Sequence, residues 1–309
     1  MLAALMSLAL IAAAPQDPPV QDPAPQDPPV TRVDDIIVDG RPLRAVAEEF
    51  VAEVGEAPRG RGLARWYQRL CVGVVNLRPD VAQPLVDHIS AVAQELGVEP
   101  GDPGCRPNVI VVFTEDPSGV AAAMIEADPR GFRLGSRSFH LDSGYRRDFV
   151  ASDAPVRWWH SSVPVNSENG QRAARLPGDV DADGNPAAPY IFTASASRLN
   201  SQIRDDLARV FVIVDVTRIG DVSPQQLGDY LAFIALAQID PEGDTSRQSS
   251  VLNAFEDPAS SPGFSDWDLA YLRGLYRPGA PRRTDRRAVA GSIVSEIART
   301  IRAGQAEAR

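Results

Sequence analysis

The chain has no lysine; all 31 of its basic side chains are arginine. Schiff-base chemistry, serine–lysine catalysis and P-loop phosphate binding each need a primary amine, so none is available. Histidine is scarce too, with three residues, His88, His140 and His160, in 309. Positive charge as a whole is short: 41 acidic residues against 31 basic give a net charge of −10. A nucleic-acid partner would need a basic face to displace counterions from phosphates, and anionic lipid would need the same. The N-terminal apolar run, Leu2–Ala14, is too short to span a bilayer as a helix, so no transmembrane segment is expected beyond a signal peptide.

What the N-terminus does have suits export. Residues 1–14 read as a signal peptide, with small residues at Ala12, Ala13 and Ala14 for a peptidase. Two features fit it imperfectly: the first residues carry no positive charge, and Pro15 follows the last alanine. Residues 15–32 hold a five-residue unit repeated three times, QDPPV-QDPAP-QDPPV. Each proline fixes φ and removes a donor, so this segment is expected to be an extended, disordered linker. A folded domain is expected over 33–309, with a subdivision possible near residue 155. The expected location is the periplasm or the extracellular medium.

The cysteines fit an oxidising compartment. Cys71 opens the apolar run CVGVVNL, and Cys105 precedes NVIVVFT. Between them Val81, Leu85, Ile89, Val92 and Leu96 recur at helical spacing. Parallel strands of a βαβ unit begin at the same end of a sheet, which brings the two sulfurs together. A Cys71–Cys105 disulfide is the expectation; free thiols are the alternative. Elsewhere, short apolar patterns predict a strand at Ile36–Val38 and helices over Pro42–Val54 and Ser118–Ala127. Arg130–Ala154 shows no clear period. VRWWHSSVPV, 156–165, reads as a strand with aromatic residues on both faces, and Ala208–Val216 as a central strand. Ser223 and Pro224 are a helix cap and first turn, opening a helix expected to reach Ile239. Helices over Asp266–Tyr276 and Thr284–Ala303 complete the pattern. The fold class is α/β or α+β, a mixed sheet with flanking helices.

Three pieces of the second half occur in a suggestive order: GDYLAFIAL at 228–236, QSSVLNAF at 248–255 and FSDWDLAYLRGLY at 264–276. Together they resemble the C-terminal half of a metzincin metallopeptidase, with its HExxHxxGxxH helix, its Met-turn and its closing helix. Ser250-Val251-Leu252-Asn253-Ala254-Phe255 resembles the Met-turn, with Leu252 at the methionine. Ser265, Asp268, Leu272, Leu275 and Tyr276 resemble the closing helix. The chain also resembles an uncharacterised family of exported alphaproteobacterial proteins whose metzincin-like half lacks the zinc-binding histidines. The resemblance implies a degenerate zinc site: Gly228 and Ala232 at the histidines, Asp229 at the glutamate and Gln238 at the third ligand. One residue on, Asp229 and Phe233 would take the histidine places and Tyr230 the glutamate. Glycine, alanine and phenylalanine offer a metal no lone pair, so no zinc cofactor is expected in either register.

Other candidates are weaker. His160, beside Trp158, Trp159, Ser161 and Ser162, could serve as acid or base in a cleft with the indoles as platforms; Asp229 is a second weak catalytic candidate. His88 is expected on the surface and His140 in an irregular segment. Asp179, Asp181 and Asp183 with Gly184 form the first half of a calcium loop, but Tyr190 stands where a bidentate glutamate is wanted. Carboxylates gather at Asp215, Asp221, Asp240, Glu242 and Asp244. Arg282, Arg283, Arg286 and Arg287 form a basic patch fit for a partner contact. The expected function is therefore non-catalytic binding or scaffolding of a protein or envelope partner. The alternative is a metal-independent hydrolase using His160 with a nearby serine or carboxylate.

Overall fold

A computed structural model describes residues 41–56, 62–129, 131–132, 143–173, 202–277 and 286–307. All described residues belong to one compact unit within 33–309. The Ile36–Val38 strand, His140, Tyr190, the aspartates at 179, 181 and 183, and Arg282 and Arg283 lie outside the described residues, as do the signal and linker segments.

In chain order the elements are α1 (Leu43–Val54), β1 (Val72–Val75), α2 (Pro79–Glu95), β2 (Val109–Thr114), α3 (Pro117–Ala127), α4 (Ser143–Ala151), β3 (Val156–Asn166), β4 (Ile203–Asp215), α5 (Pro224–Leu236), α6 (Asp266–Tyr276) and α7 (Arg286–Glu307). A single 3₁₀ turn, Val251–Asn253, sits between α5 and α6. The four strands form one mixed sheet in the order β1-β2-β4-β3. β1, β2 and β4 are parallel, and β3 runs antiparallel to β4 along the edge.

The sheet carries helices on both faces. Val210, Val212 and Val214 of β4 point into the larger core, with residues of α1, α2, α5, α6 and α7. Phe211 and Ile213 point the other way, into a smaller core with Ala121 of α3, Phe149 of α4 and Phe132. The two-residue alternation of a strand makes this division. β3 obeys it as well: Trp158, opposite Val212, joins the larger core, and Trp159, opposite Phe211, joins the smaller. β4 is buried on both faces, which explains its nearly continuous apolar stretch VFVIV. Its pairing shifts at Ser161/Ser162, where Ala208 is the extra residue of a bulge.

The expected strand–helix–strand unit is present as β1-α2-β2. It brings the Cys71 and Cys105 Cα atoms to 6.1 Å, and the two are joined by a disulfide. Several boundaries differ from expectation. Arg130–Ala154 contains α4; at two and a half turns it repeats its apolar residues, Tyr145 and Phe149, too few times to establish a period. β4 starts at Ile203 rather than Ala208, because charged residues pair within the strand. Arg204 Nε donates to Asp206 Oδ1 at 2.7 Å, and its guanidinium lies 3.8 Å from the Tyr67 ring centre. α5 stops at Leu236 rather than Ile239, since Ala237 is extended (φ −127°, ψ 154°). α7 is described from Arg286 and runs to Glu307, past the expected end at Ala303.

α6 and α7 approach closely at Gly274, where an added Cβ would lie 2.5 Å from the Ile293 Cα. Backbone cannot yield as a side-chain tip can. Gly274→Ala is therefore expected to cost about 1–3 kcal/mol as overpacking, read as a lowered urea midpoint. An unchanged midpoint would mean that the helices do not meet there.

Candidate functional site

α5 is the centre of the larger core. Ser223 Oγ accepts from Gln226 N, and Gln226 Oε1 accepts from Ser223 N, a complete capping box around Pro224. Gln226 Nε2 also donates to the carbonyls of Pro258 and Ser261, at 2.6 and 2.8 Å, fixing the loop that leads to α6. From Gly228 to Leu236 every residue of α5 is buried.

The four positions implied as a degenerate zinc site do not share one opening. Gly228 faces α2, and an added Cβ there would lie 3.1 Å from the His88 ring. Asp229 lies beside it: Oδ1 accepts from His88 Nε2 at 2.6 Å and Gln225 Nε2 at 3.2 Å, and Oδ2 accepts from Phe264 N at 3.0 Å. Ala232 is wholly enclosed, as is Phe233. Gln238 is also enclosed, and its Oε1 accepts from Ala64 N at 3.3 Å. These residues do not fit a zinc ion: two carry no donor atom, and the oxygens of the other two hold protein hydrogen atoms. Among the described residues, no group of three or more His, Cys, Asp or Glu side chains is placed to hold a metal. His88 is not the surface residue expected from its sequence. Its side chain is 30% exposed and its ring joins α2 to α5 through Asp229.

The C-terminal end of α5 explains His160. The last four carbonyls of a helix have no partner within it. Phe233 O accepts from Ala237 N. The next three accept from side chains brought from elsewhere: Ile234 O from His160 Nε2 at 2.8 Å, Ala235 O from Trp66 Nε1 at 2.7 Å, and Leu236 O from the Tyr276 hydroxyl at 2.6 Å. Just beyond, Trp158 Nε1 donates to Ile239 O at 3.0 Å. His160 therefore acts as a cap. Donation to a carbonyl puts the proton on Nε2 and leaves Nδ1 as the acceptor nitrogen. Burial holds the imidazole down at about 4, against the pull of the Ile234 carbonyl. The neighbouring hydroxyls do not reach it: Ser161 Oγ donates to Gly131 O, and Ser162 Oγ is buried with no partner among the described residues.

Below α5, the Met-turn-like segment and α6 meet at Asp268. Its carboxyl accepts from Ser250 Oγ (2.7 Å), Val251 N (2.8 Å), Ser265 N (3.0 Å) and Ser265 Oγ (2.8 Å). Burial pushes this carboxyl up to about 6 against those four donors. Asn253 fixes the other side of the turn, donating to the Thr245 and Gln248 carbonyls at 3.1 and 3.0 Å. Leu252 is half-buried and borders a cavity.

That cavity, of about 720 Å³, lies along edge strand β3 and is the candidate functional site. Trp158, Trp159 and His160 of β3 line it, together with Tyr230 of α5, Phe149 of α4, and Leu252 and Phe255 of the turn. Six carboxylates also border it, Glu56, Asp148, Asp240, Glu242, Asp244 and Glu256, together with Arg157 and neutral residues such as Thr245 and Asn253. No family model, curated protein or solved structure matches the chain.

Of the candidates named from sequence, the structure brings together at this cavity His160, Leu252, Asp240, Glu242 and Asp244. It does not bring Asp229 there, nor Gly228, Ala232 or Gln238. Asp215 is buried at the end of β4 and accepts from Thr217 N and Oγ1, and Asp221 is exposed in a loop. Arg286 and Arg287 begin α7. Sequence reasoning missed Tyr230 as a cavity residue, although Phe233 and Tyr230 were both weighed as helix positions. It also missed Glu56, Asp148 and Glu256. Helical phase could have indicated Tyr230, which lies one turn before Ile234; no local signal marks the other three.

Proposed function

We propose that the protein is an exported, periplasmic or secreted, non-catalytic binding protein, built on a metallopeptidase-like scaffold that has no zinc site. The observation that carries this reading is the His160–Ile234 hydrogen bond. The imidazole in the cavity wall is spent on capping α5 and is held neutral, so it is poorly placed to move protons to and from a substrate. The order of α5, the turn tied by Asp268, and α6 beneath it agrees with the metzincin resemblance in residues Gly228–Tyr276. The Cys71–Cys105 disulfide agrees with an oxidising compartment. Among the described residues no helix is long and apolar enough to cross a membrane.

The competing reading, a metal-independent hydrolase, draws on one feature: His160 lines the cavity and its Nδ1 has no partner among the described residues. Peptide and ester reporter substrates separate the two, assayed with and without added zinc. The binding reading expects no turnover by the wild-type protein beyond that of His160→Gln. Turnover that a folded His160→Gln variant loses, or that zinc restores stoichiometrically, contradicts it.

A further inference from the structure

The far end of β3 carries a chemistry unrelated to the cleft. After Asn166 the chain turns through Ser167, Glu168, Asn169 and Gly170 and comes back at Gln171. Asn166 N donates to Gln171 O at 2.7 Å, and an isolated bridge joins Val165 to Arg172. Of the seven asparagines in the chain, Asn169 alone is followed by glycine. Asparagine is a thermolabile residue. The main-chain nitrogen of the next residue can attack its Cγ, and a side chain on that residue shields the nitrogen. Glycine has no such side chain.

The geometry of the turn favours attack at Asn169. Asn169 and Gly170 are both exposed. Gly170 has φ +73°, and around it the nearest atom to an added Cβ would be Arg204 Nη2, at 3.8 Å. The side-chain oxygen already has a donor: Gln171 N donates to Asn169 Oδ1 at 2.9 Å. Negative charge gathers on that oxygen when Cγ is attacked, and a donor already in place stabilises it. One contact opposes the reaction, the bond from Gly170 N to Asn166 O at 2.8 Å. Attack requires this bond to open, and exposed ends of hairpins open at small cost.

The other described asparagines are protected. Asn166 makes the same local bond, with Oδ1 accepting from Glu168 N at 2.8 Å. It is only 4% exposed, however, and the nitrogen that would attack it, Ser167 N, is buried and donates to Gln202 O at 2.7 Å. Asn76, Asn108 and Asn253 precede Leu77, Val109 and Ala254, and main-chain groups hold their side chains.

We propose that Asn169 is a site of spontaneous covalent modification in water. Gly170 N attacks Asn169 Cγ, and the new C–N bond closes a succinimide ring. The side-chain nitrogen leaves as ammonia, taking the proton that Gly170 N gives up. Water then adds to one of the two ring carbonyls and the C–N bond at that carbonyl breaks. One direction of opening gives aspartate and the other isoaspartate, and no electrons are transferred to or from any other species. Either product adds a negative charge at the turn. Isoaspartate also adds a carbon to the main chain, which moves Gln171 out of register with Asn166. The β3–β4 pairing ends at Asn166–Ile203 and stays in place. None of this depends on what the cleft binds.

The test uses the full chain, incubated at pH 8 and 37 °C with and without urea. Trypsin at mildly acidic pH then releases residues 158–172, a peptide that contains both Asn166 and Asn169. Mass spectrometry of the folded sample should show this peptide one dalton heavier, in two separable forms, with fragment ions placing the change at Asn169. Asn169→Gln should abolish the change, and Gly170→Ala should slow it severalfold. An Asn169 amide that survives in the folded chain while the urea-unfolded chain loses it would overturn the proposal. Modification of Asn166 ahead of Asn169 would overturn it as well.

Discussion

Asp268→Ala is expected to lower the unfolding free energy by about 3–5 kcal/mol. The carboxyl is fully buried and takes four hydrogen bonds, two from Ser265 and two from the turn at Ser250 and Val251. Alanine removes the acceptor and leaves those donors enclosed, and an unsatisfied buried donor costs about 1–3 kcal/mol. One of the four bonds, from Ser265 N, is the Asp268 half of the capping box that starts α6. The costs are not additive, because the loop can relax and admit water. Asp268→Asn keeps one acceptor oxygen and should lie between the two. Urea unfolding at pH 7 measures all three proteins. A loss under about 1 kcal/mol for alanine would show that Asp268 does not hold the turn to α6.

The second large effect is a pH dependence carried by His160. Its pKa in the fold is about 4, below the ordinary 6.5. As pH falls through 6.5 the unfolded chain takes up a proton at this residue and the folded chain does not. Stability contributed by the neutral cap is therefore complete above 6.5 and declines as pH falls toward 4. The full difference is roughly 3 kcal/mol. Asp268 acts with the opposite sign. With its carboxyl raised to about 6, the folded state holds a proton that the unfolded state has released, so it favours folding below about 4 and loses that advantage as pH rises to 6. The His160 contribution is isolated by comparing wild type with His160→Gln at pH 7 and pH 4.5. The stability gap between them should narrow, or change sign, at the lower pH. A gap that does not change with pH would mean that His160 titrates normally.

The two effects also show what was legible in the sequence and what was not. Local signals sufficed wherever residues close in the chain make the structure. Ser223-Pro224 opens α5 as its capping pattern requires, and the period between Cys71 and Cys105 gave the βαβ unit and through it the disulfide. The site was less accessible because long-range contacts compose it. Trp66, His160 and Tyr276 converge on three consecutive carbonyls of α5 from three parts of the chain, and nothing near any of them announces it. Asp229 appeared as a candidate at a degenerate metal position. It is instead an acceptor for His88, 141 residues away. α4 illustrates the opposite difficulty: its apolar repeats are too few to distinguish a short helix from a loop. The carboxylates of the cavity wall come from distant segments: Asp148 from α4, Asp240, Glu242 and Asp244 from the loop that follows α5 at Leu236, and Glu56 and Glu256 from two others.

The state of the His160 imidazole is read directly by nuclear magnetic resonance. With three histidines in the chain, His88→Gln and His140→Gln assign the ring signals of His160. The imidazole should remain neutral through pH 5, carry its proton on Nε2 and titrate near 4. A His160 ring that titrates at 6.5 or above, or that carries its proton on Nδ1, would free Nε2 from the Ile234 carbonyl and contradict the reading of this cleft as a place that binds without reacting.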